Sequence, residues 1–167
     1  MTDTIKLTRD QVVALGPCSE DRIPNFGRRK SMSAAQALEA GATIDDLLWV
    51  AGQLGRKDLC VKFALACAQR VAHLNPDPRV PAAIDAAAAW VADPSEENRA
   101  AARAAGDAAR AAGDAWAAAW AAGAADGAAG AAGDAAWAAG DAARAAARAA
   151  GDAEREAQRA IFLEIFG

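Results

Sequence analysis

From residue 101 to residue 160, alanine occupies every a and d position of a heptad register. The series Ala101, Ala104, Ala108, Ala111 and Ala115 continues unbroken through Ala125 and Ala132 to Ala153, Ala157 and Ala160. Such spacing calls for helix, and an alanine seam calls for close helix packing, because small side chains let helix axes approach each other. A single straight helix over residues 95–160 would span about 100 Å. The segment is therefore expected to fold back. Glycine is densest from Gly123 to Gly130, which places the turn there. The expected architecture is all-α, with short N-terminal helices packed on a long alanine-rich antiparallel helical hairpin. The seam would lie between the hairpin's arms. One all-helical domain covers 1–167, with N-terminal helices in 1–94 and the alanine-heptad hairpin in 95–167.

The N-terminal half marks its helices by their ends. Thr8 to Leu15 reads as a short helix followed by loop. Ser33 is placed to cap a helix that stops at Gly41, and Thr43 to cap the next, with Asp45 and Asp46 in its first turn. A stronger helix runs from about Lys57 to Leu74, with Leu59, Phe63, Ala66, Cys67 and Val71 at helical spacing. Pro81 lies in the first turn of the helix that follows, and Asp93-Pro94 breaks it. Ser95 then caps the alanine-rich segment. No stretch alternates in the manner of a strand.

Charge and cysteine usage narrow the function classes. A formal net charge of −4 argues against a general nucleic-acid binder, which would be basic. Met1 to Asp10 is polar, with no apolar signal core behind it, and the longest uncharged run of the C-terminal half lies between Asp114 and Asp126. That run is too short to span a bilayer. A cytoplasmic protein is expected, without membrane contact. The odd count of cysteines, Cys18, Cys60 and Cys67, suits a reducing compartment.

Chemistry-bearing motifs are scarce. The sequence contains no phosphate-binding loop, dinucleotide fingerprint or metal-binding histidine pair. The cysteines and the lone His73 fit no ordinary zinc spacing and read as buried thiols and a helix-terminal histidine. Asp45 and Asp46 diverge by about 100° on a helix and read as first-turn charges, not as an acid pair. The expectation is a non-enzyme with no catalytic, cofactor or metal residues and no cofactor.

Two features point to a partner. Arg28-Arg29-Lys30 is a basic run able to meet an acidic protein surface. Trp116 and Trp137 fall at b and Trp120 at f, so all three point away from the alanine seam. They either pack on the N-terminal helices or form an aromatic binding patch. Trp116, Trp120, Trp137, Arg28, Arg29 and Lys30 are the candidate partner-binding residues. The seam could also pair between chains and give a homodimer.

Leu48 to Leu59, Phe63 to Arg70, Pro81 to Trp90 and the Ala-Trp-Ala-Ala and Ala-Arg-Ala-Ala repeats together resemble the alanine-rich, helical immunity-protein family of bacteria and their phages. The resemblance covers roughly residues 45–166. It implies a cytoplasmic, all-helical, non-enzymatic protein that neutralises a toxin by binding it. Two alternatives stand beside it. One is a phage-encoded inhibitor of bacterial defence, in the manner of an anti-CRISPR protein, acting by occlusion of a defence-complex subunit. The other is a structural, self-assembling helical module.

Overall fold

The computed structural model describes residues 5–74, 76–111, 141, 145, 148 and 151–166. It is an all-α fold with one very small sheet. In chain order the elements are β1 (Lys6–Leu7), α1 (Arg9–Ala14), a 3-10 turn (Glu20–Arg22), β2 (Met32–Ser33), α2 (Ala34–Glu39), α3 (Ile44–Gln53), α4 (Lys57–Val71), a second 3-10 turn (Ala72–Leu74), α5 (Arg79–Ala92), α6 (Glu96–Ala111) and α7 (Asp152–Phe166). The sheet departs from the expectation of no strands: β1 and β2 pair antiparallel, Lys6 opposite Ser33 and Leu7 opposite Met32. Two residues per strand are too few to leave an alternating pattern in sequence.

The expected caps at Ser33, Thr43 and Ser95 are present, and Thr8 adds another. Thr8, Ser33 and Thr43 each form a reciprocal capping box at the start of α1, α2 and α3, and Ser95 Oγ accepts from the Asn98 backbone N–H at 3.3 Å. Gly41, past the end of α2, has φ +99°, which only glycine adopts without strain.

The core forms around α4, which packs against α3, α5 and α7. Cys60, Val61, Phe63, Ala64 and Cys67 are fully buried on it, together with Leu48 of α3 and Phe162 of α7. Phe63 meets Phe162 edge-on, with ring centroids 5.6 Å apart and planes at 84°. A polar clasp lies on the same pair of helices: Arg70 Nε donates to Glu154 Oε2 at 2.9 Å and to Oε1 at 3.1 Å. Glu154 is only 3% exposed, whereas the Arg70 side chain is 45% exposed. Burial pushes the thiols of Cys60 and Cys67 up to about 12. Asp58 adds to the first and Glu154 to the second.

The alanine seam is not the packing face of α6 or α7. Ala101, Ala104 and Ala108 in α6 and Ala153 and Ala160 in α7 are exposed, and Ala157 is half-buried. The buried residues are Ala102 and Gly106 in α6, and Glu154, Gln158 and Phe162 in α7. In the heptad register these are b, e and f positions, so the packing face is rotated by about one residue, or 100°, from the seam. Among the described elements, α6 packs on α5 and not on α7. Alanine is so abundant here that several faces can be read as small. The face that packs in α7 is the one that also carries a large side chain, Phe162. The expected turn at Gly123 to Gly130 lies outside the described residues.

Three outcomes are expected. Ala102→Leu should destabilise by about 1–3 kcal/mol through overpacking, while Ala104→Leu should stay within about 0.5 kcal/mol; denaturant unfolding of both reads the two faces directly. Arg70→Ala should cost about 1–3 kcal/mol, because it strands a buried carboxylate, whereas loss of the exposed Arg9–Glu20 pair in Arg9→Ala should change stability little. A thiol reagent at pH 8 should react rapidly with one equivalent, the exposed Cys18, and with the two buried thiols only after unfolding.

Candidate functional site

Between the N-terminal segment and α3 lies an apolar cleft of about 110 Å³. Its floor is α3, through Leu47, Trp49, Val50, Ala51 and Leu54, with Ala34 and Ala37 of α2 beside it. Its roof comes from residues before α2: Ile5, Leu7, Val12, Ile23, Phe26 and Met32. Phe162 and Phe166 of α7 close one end, stacked with centroids 4.2 Å apart and planes at 10°. The cleft is thus assembled from residues 5–54 and the distant last helix.

Asp46 ties the floor to the roof. Its Oδ2 accepts from the Thr43 N–H at 2.9 Å and from the Thr43 hydroxyl at 2.6 Å, which caps α3. Its Oδ1 lies 2.7 Å from Arg22 Nη2, at the end of the first 3-10 turn. One carboxylate therefore starts the floor helix and anchors the roof. Its first-turn charge was legible in sequence. Its second partner, twenty-four positions upstream, had no sequence signal.

The basic run stands on the rim. Asn25 Oδ1 accepts from the Gly27 N–H at 2.8 Å, and the Arg29 N–H donates to the Phe26 carbonyl at 2.9 Å, closing a tight turn with Gly27 at φ +55°. The turn buries Phe26 toward the cleft and leaves Arg28, Arg29 and Lys30 exposed. An apolar wall and a basic edge are thereby set side by side.

The other singled-out residues do not converge. Cys18 and His73 are exposed, while Cys60 and Cys67 are buried in the core. Among the described residues no group of three or more His, Cys, Asp or Glu side chains is placed to hold a metal ion. Trp116, Trp120 and Trp137 lie outside the described residues. In register, Trp116 and Trp137 share the position of Ala102, and Trp120 that of Gly106. Sequence reasoning missed the cleft itself. The clue it offered was a set of large apolar residues, Phe26, Trp49, Phe162 and Phe166, in a chain otherwise rich in alanine. No described helix is long and apolar enough to cross a membrane.

No curated protein and no solved structure matches this chain. A family model does match, over residues 34–166, and it describes a family of unknown function, DUF6931. The matched range begins at the first residue of α2 and runs to the end of α7. It includes the floor of the cleft and excludes residues 5–33, which carry most of the roof and the basic turn. The chain belongs to the DUF6931 family.

Proposed function

We propose that this protein is a non-enzymatic binding protein that neutralises a macromolecular effector by occlusion, with the effector seated over the apolar cleft and its basic edge. The observation that carries the reading is the juxtaposition of an open cleft walled by Phe26, Trp49, Phe162 and Phe166 with the exposed Arg28-Arg29-Lys30 turn. Apolar pockets of this kind receive the anchor residues that dominate protein interfaces, and a charged rim steers and aligns the partner. In its immunity form, which rests on the sequence resemblance, the effector is a toxin domain and the encounter takes place in the cytoplasm. An inhibitor of a bacterial defence complex would use the same surface against a different target.

Self-assembly is a second reading. It is favoured by one observation: the seam residues Ala101, Ala104 and Ala108 face solvent along α6. A mass that rises with concentration would support it.

The test is affinity capture with the full chain and with a triple variant, Arg28→Glu, Arg29→Glu and Lys30→Glu. Lysates of toxin-carrying bacteria and of phage-infected cells are passed over each. A toxin domain or defence subunit held by the parent protein is expected to bind the variant at least about tenfold more weakly, with the loss falling on association rate and salt dependence. Equal retention by both proteins would remove this surface from the reading.

A further inference from the structure

The size and neutrality of the cleft define what it can accept. A cavity of 150 Å³ lined by aliphatic and aromatic side chains takes up benzene. The space here, about 110 Å³, suits one six-membered ring or one branched aliphatic group. An indole or a whole helix face is too large.

The charged residues that line the cleft carry no net charge. Of the charged residues lining it, Arg22 and Asp46 neutralise each other at 2.7 Å, and the second oxygen of Asp46 is taken by Thr43. Ser33 Oγ is committed to the Gln36 N–H. Among the described residues no buried side-chain nitrogen or oxygen lacks a hydrogen-bond partner. Apart from the Arg22–Asp46 pair the lining is mostly apolar, so a charged guest would exchange its hydration for apolar walls, whereas an uncharged one loses little.

The edge beside Phe26 is basic. Arg28 is two residues from Phe26, so their Cα atoms are at most about 7.6 Å apart. An extended segment advances about 7 Å in two residues. A guest side chain resting against Phe26 therefore brings a neighbour two positions away into reach of the basic turn.

We infer that the cleft receives a single uncharged side chain, phenylalanine or leucine, presented by the partner on an extended segment whose flank at the basic turn is acidic. This rests on the cleft being the partner-binding face. It goes further in naming the anchor and its flank.

Toluene serves as a probe of the cleft alone, and the capped peptide Asp-Glu-Phe-Glu-Asp as a probe of the full recognition. Two control peptides carry alanine in place of phenylalanine, or lysine in place of every acidic residue. With the full chain, toluene at tenfold excess over its Kd is expected to raise the melting midpoint by about 3–6 °C. It should also give NMR contacts to the rings of Phe26 and Phe162. The acidic phenylalanine peptide should compete with toluene, and each control should bind at least about tenfold more weakly. Ala42→Leu, which fills the cleft, should abolish both interactions while the helical circular dichroism is retained; Ala37→Leu is the second filling variant if the first does not fold.

No toluene binding, or equal binding of the phenylalanine and alanine peptides, overturns the inference. Toluene binding without any peptide binding also overturns it and makes the cleft a site for free small molecules. A dimer that toluene dissolves overturns it in favour of a second copy of this chain. A partner captured through the basic turn but indifferent to toluene leaves the proposed function standing and removes only the anchor.

Discussion

The edge of one phenylalanine ring against the face of another holds the last helix of this fold to its centre. Phe63 lies in the middle of the central helix and Phe162 in the last one, and both are fully buried. Beside them Arg70 clasps the buried carboxylate of Glu154. The aromatic contact supplies area and the ion pair supplies register, since a buried carboxylate tolerates few alternative alignments. Phe162 has a second role, because it also lines the cleft with Phe166. The core and the candidate site are therefore two sides of one helix. Anything that loosens α7 from α4 also opens an end of the cleft.

Short-range features were readable in the sequence, and long-range ones were not. Ser33, Thr43 and Ser95 announce helix starts because a cap is a contact between residues three apart. Gly41 announces a stop because its φ is a local requirement. The Arg22–Asp46 and Arg70–Glu154 pairs depend on how helices meet and leave no comparable mark. Arg28, Arg29 and Lys30 stood out by composition alone. Their meaning comes from Phe26, which the turn sends the other way.

The cleft was hidden for the same reason. Its roof precedes α2, its floor is α3 and its end wall is α7. Each part taken alone is an ordinary set of apolar residues. The family match adds a division of a different kind: it takes in the floor and end wall, while most of the roof and the basic edge belong to residues before position 34.

The exposure of the seam in α6 and α7 has a physical explanation. Periodicity identifies a packing face when the repeating residues carry the volume that burial rewards, at roughly 25 cal/mol per Å² of apolar surface. Alanine carries little, so an unbroken alanine series is weak evidence of burial. It is strong evidence of helix, because alanine has the highest intrinsic helix propensity and needs no tertiary contact to express it. Exposed Ala101, Ala104 and Ala108 are explained by that role. Where α6 packs on α5, its own buried residues are Ala102 and Gly106, and α5 buries Ala83 and Ala87. Helix formation and helix packing are thus assigned to different faces of one alanine-rich segment. The register of its larger residues, Ile161, Phe162 and Ile165 at e, f and b, marks which face packs.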